Sequence, residues 1–213
     1  MYDAIYNYCK TLSDDFSTIS EARRTVLHQI TDFAGKKLKN NQVITLNFIC
    51  THNSRRSQFG QIWAKVAADF YGFSHQLEVY SGGTEVTAFH INAVNTLIRL
   101  GFEMKVQENS TNPRYSCSFS KDMPPLFMFS KIYNDKFNPE SDFAAVMVCS
   151  QADEACPFVI GAEKRFSLPF EDPKIADETP EETSTYNHAC RLIAMEIFYV
   201  FSQVSSHIQS NQP

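Results

Sequence analysis

From residue 43 onward the chain alternates short apolar runs with stretches whose apolar residues recur every three to four positions. "VITLNFI" (43–49) reads as a strand, residues 57–71 as a helix stopped by Gly72, and "LEVYS" (77–81) as a second strand. Residues 89–100 read as a helix stopped by Gly101, and "FAAVMVC" (143–149) as a further strand. A last helix is marked by Thr179 as N-cap, Pro180 at the first helical position and Glu182 at capping-box spacing. Strands and helices in alternation predict an α/β fold, a parallel sheet with helices on both faces.

Three regions fall outside this rhythm. Residues 1–41 read as a helical extension: Thr18 and Glu21 have capping-box spacing, and Ala22, Val26, Ile30, Phe33, Ala34 and Leu38 share one helical face. That face is expected to pack on the main domain or to form a homodimer. Between about 105 and 142, "RYSCSFS" and "LFMFSKIY" flank "KDMPP", which predicts a hairpin inserted before the third sheet strand. Residues 206–213 read as a flexible tail after a domain spanning 42–205.

Composition narrows the classes. The 213 residues are 43% hydrophobic and 20% charged, ordinary for a globular domain, and the net charge of −5 argues against general nucleic-acid binding. No run approaches the roughly 18 apolar residues of a membrane helix, and the N-terminus lacks a secretory pattern, so the chain is expected to be cytoplasmic. Six cysteines without a CxxC pair suggest neither a disulfide scaffold nor structural zinc. No metal and no cofactor is expected.

The chemistry concentrates in the loop after the first strand. "CTHNSRRSQ" (50–58) joins a buried strand to a helix start, a geometry that aims backbone N–H groups and the positive end of the helix dipole at the loop centre. A tetrahedral anion fits there, and the same field favours the thiolate of a cysteine. Cys50 is the candidate nucleophile, and Arg56 can grip two anion oxygens. Ser57 can hydrogen-bond the sulfur, and Asn53 can brace the loop. A strand-end cysteine is often simply core, and it is the strand-loop-helix context that favours chemistry.

"CTHNSRRSQ" resembles the Cys-X5-Arg-Ser anion loop of low-molecular-weight protein tyrosine phosphatases and of the thioredoxin-coupled arsenate reductases built on the same fold. "VYSGGTE" (79–85) is similar to the family's second-strand segment, and "FEDPK" (170–174) carries an Asp-Pro like the one that supplies its general acid. The resemblance covers roughly residues 43–203 and implies a three-layer fold with a four-stranded parallel sheet. It implies that Cys50 attacks the oxyanion, that residues Thr51, His52, Asn53, Ser54, Arg55 and Ser57 form or support the binding loop, and that Asp172 protonates the departing oxygen. Without that match, Asp172 before Pro173 reads as a turn.

"VMVCSQADEACPF" (146–158) resembles the segment that carries the second and third redox cysteines of those reductases. The resemblance then implies a relay: arsenate adds to Cys50, Cys149 attacks the adduct and releases arsenite, and Cys156 resolves the Cys50–Cys149 disulfide. A Cys149–Cys156 disulfide remains for thioredoxin. Continuous helix from 149 to 156 would hold the two Cα atoms about 10.5 Å apart at about 1.5 Å per residue, whereas a disulfide needs roughly 4.4–6.8 Å. Any helix in this segment must therefore unwind.

Three departures stand out. His52 occupies a position that is usually Gly in the family and is expected to need unusual backbone or to narrow the pocket; Arg55 adds charge near the anion; and Gln61 replaces an acidic residue that some reductases tie to potassium. Cys9, Cys117 and Cys190 are assigned to packing. Three functions stay open: a thioredoxin-coupled arsenate reductase, a phosphatase acting on phosphotyrosine or aryl phosphates, and a non-catalytic oxyanion-binding or redox-sensing module.

Overall fold

The computed structural model describes the chain in full to Ser206 and its helical backbone to Gln209. In chain order the elements are α1 (Asp3–Leu12), α2 (Glu21–Lys39), β1 (Ile44–Cys50), α3 (Arg56–Phe70), β2 (Leu77–Gly83), α4 (Ile91–Arg99), β3 (Glu103–Glu108), β4 (Arg114–Ser118), β5 (Leu126–Met128), β6 (Phe143–Met147), α5 (Ser150–Ala155), β7 (Ala162–Ser167) and α6 (Glu182–Gln209). Among these helices none is long and apolar enough to cross a membrane.

β2, β1, β6 and β7 form, in that order, a four-stranded sheet with every neighbouring pair parallel. Its composition follows position. The inner strands "ITLNFIC" and "FAAVM" are almost wholly buried, as strands covered on both faces must be, while the edge strands β2 and β7 keep charged residues such as Glu78, Glu163 and Lys164 in solvent. β7 is charged enough that its period-two signal is weak, which is why the fourth strand carries no clear sequence mark.

The inserted region is larger than a hairpin. β4 and β5 pair antiparallel as predicted, and β3 adds a third strand on the other side of β4. β3, "EMKVQE", is exposed nearly throughout and so lacks an apolar face to betray it. The following segment returns to the main sheet. Gly83 donates to Lys131 and accepts from Tyr133, both at 2.8 Å. A Cβ on Gly82 would lie 2.3 Å from the Tyr133 Cα, so this approach requires glycine.

α1 and α2 pack on α6, and polar contacts fix them there. Arg23 Nε donates to both carboxylate oxygens of Glu196 at 2.9 and 2.8 Å, and Arg191 pairs with Asp15. The buried residues of α2 are Leu27, Ile30, Thr31, Ala34, Gly35 and Lys37; Ala22, expected on that face, is exposed. Its cap is Ser20, which accepts from Arg23 N, while the Thr18 hydroxyl donates to the Asp15 carbonyl. The apolar face read as a docking or dimer surface is thus used within the chain. At α6 the Thr179 hydroxyl donates to Ala176, and it is the Glu178 N–H that reaches the Glu182 carboxylate. α6 continues through residues 206–209, the start of the expected tail; residues 210–213 lie outside the described residues.

Because all four strands run the same way, their C-terminal ends gather at one edge, the usual place for a ligand in an open α/β sheet. β1 delivers Cys50 there, β6 leads to Cys149, and β7 leads to the loop carrying Asp172.

Candidate functional site

Residues 51–55 form a turn whose carbonyls all face outward. The Cys50 carbonyl accepts from Thr84 N, Thr51 from Glu85 N, His52 from the Ser130 hydroxyl, Asn53 from Gln58 Nε2, Ser54 from His90 N, and Arg55 from Phe59 N. In a trans peptide the following N–H points opposite to the carbonyl. The loop's N–H groups are therefore turned inward, and those of residues 52–57 find no protein acceptor among the described residues. This is a cradle for an anion at the N-terminus of α3.

Asn53 supplies the one left-handed residue of the turn, at φ +47°. Its short amide tolerates that conformation, and it braces the turn: Nδ2 donates to Ser57 Oγ at 2.8 Å, and Oδ1 accepts from Lys131 N at 3.0 Å. His52 has no positive φ, so the expected backbone strain falls one residue later. The His52 ring lies at the surface, 3.3 Å from Glu85. Ser54 Oγ donates to the Ala88 carbonyl at 2.7 Å.

Cys50 is buried, and its sulfur lies 3.0 Å from Ser57 Oγ. Arg56, also buried, donates from Nη1 to the Phe170 carbonyl at 2.8 Å and from Nη2 to Asp172 Oδ2 at 2.5 Å; its Nε has no partner among the described residues. Asp172 Oδ1 accepts from Lys174 N, which makes the carboxylate the cap of a short 3-10 turn (Pro173–Ala176). Cys149 is 1% exposed and meets Thr51, the residue after Cys50, with Sγ and Oγ1 3.4 Å apart. It also caps α5, accepting from Ala152 N at 3.3 Å. Cys156 follows that helix, half-buried, and all six cysteines are free thiols.

Arg55 does not share the arrangement of Arg56. Its Nε donates to the Tyr186 hydroxyl at 2.6 Å and its Nη2 to Asp177 at 2.9 Å, and Tyr186 donates in turn to Asp177 at 2.6 Å. Burial raises the Asp177 pKa, but the Tyr186 hydroxyl and the Arg55 guanidinium outweigh it and hold the carboxyl below its usual value. Burial, then the Arg55 charge, lower the pKa of neighbouring His90.

Several contributors carry no sequence signal of their own: Gln58, which also donates to the Phe129 carbonyl, Lys131 and Ser130 from the insertion, and Arg165, which clamps α5 through Asp153. Asp177 lies five residues beyond Asp172 in the same loop, and that proximity is its one sequence signal. Gln61 donates to the Val79 carbonyl within the core. Cys9 and Cys190 are buried, their thiol pKa values pushed up to about 12, and Cys190 accepts from the Trp63 indole; burial likewise raises Cys117.

No family profile matches the chain. It is 30% identical over 135 residues to the arsenate reductase of Shouchella clausii, a match spanning 63% of this chain and 78% of that relative. The arsenate reductase of Bacillus subtilis matches with the same identity and coverage. A low-molecular-weight phosphotyrosine phosphatase from Vibrio cholerae O395 shares the fold at a TM-score of 0.51 and 12% identity, over 79% of this chain and 99% of that one. The YwlE arginine phosphatase, in a variant with a phosphorylated active-site serine, shares it at 0.50 and 16% identity, over 79% and 98%. The chain has the fold of the low-molecular-weight phosphotyrosine phosphatases; it belongs to the arsenate reductase family and is an enzyme of that family.

Proposed function

We propose that the protein reduces arsenate and is recycled by thioredoxin. The oxyanion sits in the inward-facing N–H groups of residues 52–57 and takes Arg56 Nε, the buried donor without a partner. It also competes with Asp172 for Nη2 and frees that carboxyl to face the oxygen that leaves. The Cys50 sulfur forms a bond to arsenic as one oxygen departs, protonated by Asp172, as water. Cys149 then attacks the Cys50 sulfur; the S–S bond forms as the S–As bond breaks, and its electron pair reduces As(V) to As(III), which leaves as arsenite. Cys156 attacks Cys149, releasing the Cys50 thiolate. Two thiols have become one disulfide, and the dithiol of thioredoxin returns them to the reduced state.

The contact between Cys149 and Thr51 carries this reading, because it sets a second buried thiol beside the nucleophile's own loop. A hydrolase needs no thiol there. The exposed Phe158 and Ile160 beside Cys156 offer an apolar approach for a protein reductant.

Thioredoxin-dependent arsenite formation by the wild type, Cys149→Ser and Cys156→Ser tests the relay, which is wrong if all three are equally active. Mass mapping after one arsenate turnover should find Cys149 bonded to Cys156. The second reading, aryl phosphate hydrolysis, is favoured by the Arg56–Asp172 pairing, which suits phosphate equally well. It predicts activity that survives loss of Cys149 and Cys156 and vanishes in Cys50→Ser.

A further inference from the structure

A cavity of about 520 Å³ opens on the far side of the Lys131 segment, between α3, β2 and the inserted sheet. Its rim is apolar and exposed, with Phe127 64% and Phe137 51% accessible, and Val79, Leu126 and Phe129 complete the wall. Two polar side chains on its lining are buried, and each carries a polar group with no hydrogen-bond partner among the described residues. Lys131 is 4% exposed, and its ammonium makes no hydrogen bond or ion pair among the described residues, lying only over the Phe129 ring at 4.8 Å. Gln61, 5% exposed, spends its amide N–H on the Val79 carbonyl and leaves Oε1 unpaired.

The other charges of the cavity are accounted for. Arg114, also over the Phe129 ring at 4.9 Å, pairs with Glu108 at 3.3 Å. Asp135 acts on Lys131 only through space. Burial draws the Lys131 pKa down to about 8, which leaves most of the amine charged at neutral pH. A cation on a largely buried side chain with no counter-ion in contact is costly, and the unpaired buried carbonyl of Gln61 adds to the cost. Both are relieved by one kind of guest.

We propose that this cavity binds a small organic monoanion with an aromatic body, an aryl or arylalkyl carboxylate bearing a hydroxyl or amine: the carboxylate meets Lys131, the donor meets Gln61 Oε1, and the ring lies among Phe127, Phe129 and Phe137. The volume suits such a molecule. The site adjoins the anion loop, because the Lys131 backbone N–H holds Asn53 Oδ1, and Asn53 holds Ser57 beside Cys50. It does not depend on whether that loop handles arsenate or phosphate.

Calorimetric titration with 4-hydroxyphenylacetate and its neutral amide, each in the presence and absence of inorganic phosphate, tests the assignment. The acid should bind at least about tenfold more tightly than the amide, about 1.4 kcal/mol, and phosphate should leave its affinity unchanged. In Lys131→Met, shown folded by circular dichroism, the preference should collapse to about twofold or less. Phe127→Asp, at the exposed rim, should weaken the acid about fivefold or more and the amide less; it decides the matter if Lys131→Met does not fold. Equal binding of acid and amide, no saturation by the acid up to about 10 mM, or loss of acid binding in phosphate, which would move the event to the anion loop, each overturns the proposal.

Discussion

The proposed relay requires α5 to unwind, and Arg165 holds it wound. Arg165 Nη2 donates to the Asp153 carbonyl at 2.6 Å and to the Asp153 carboxylate at 2.5 Å, and Nε donates to the Cys156 carbonyl at 3.1 Å. Ser167 adds a hydrogen bond to the same carboxylate. In Arg165→Ala these three contacts go. Charge-assisted bonds reach roughly 1.5–3 kcal/mol each when dry, but these side chains are about a quarter exposed, so we take about 0.7 kcal/mol apiece. Together that is about 2 kcal/mol, or about a thirtyfold rise in the unwound population. Hydrogen exchange reads it directly, since the Asp153 and Cys156 amides donate within this turn to Cys149 and Ala152. Both should exchange about ten- to thirtyfold faster, while the Phe59 amide of α3 keeps its wild-type rate. Single-turnover formation of the Cys149–Cys156 disulfide should accelerate in step. Unchanged exchange at Asp153 and Cys156 would show that Arg165 is not the clamp. Faster exchange without faster disulfide formation would show that unwinding does not limit the relay.

Three further substitutions probe other supports. Asp177→Asn removes the counter-ion of buried Arg55 and should cost about 2 kcal/mol in urea unfolding at neutral pH. Since the Asp177 pKa is depressed in the fold, its contribution is present above the unfolded carboxylate value of about 3.9 and is lost as pH falls through the folded one, so wild type and variant should converge below about pH 4. Arg23→Ala strands the buried carboxylate of Glu196 and should lower stability by about 2 kcal/mol, in a single unfolding transition if the N-terminal helices belong to the same cooperative unit; an early separate transition would refute that. Gly83→Ala places a Cβ 2.6 Å from the Thr51 carbonyl and 2.8 Å from Asn53 N, both backbone, and should weaken phosphate binding by about tenfold or more, measured by calorimetry.

The parts of this architecture that are legible in the sequence share a property: their signal is local. β1 and β6 announce themselves as apolar runs because both faces are covered, and "CTHNSRRSQ" joins its chemistry to one strand-loop-helix turn. What escaped is set by partners distant in the chain. Nothing near Lys131 says that its backbone N–H will brace Asn53, and nothing near Arg165 says that it will hold a helix beginning at Ser150. β3 and β7 escaped for a different reason, because edge strands carry charge where inner strands carry methyl groups.

Arg55 shows why motif position alone misassigns a residue. Adjacent residues at the start of a helix point about 100° apart, so Arg55 and Arg56 cannot serve the same centre. Arg56 turns to Phe170 and Asp172, while Arg55 turns to Tyr186 on α6 and to Asp177. The two guanidiniums thus fasten one anion loop to both ends of a single segment, residues 170–177. Asp172 sits where, in the proposed reaction, an incoming oxyanion displaces it from Arg56, and Asp177 is locked by Tyr186 and Arg55. A loop that must release one end and keep its place is best anchored at the other. Arg55 gives that anchor without adding free positive charge to the cradle, because Asp177 neutralises it where it stands.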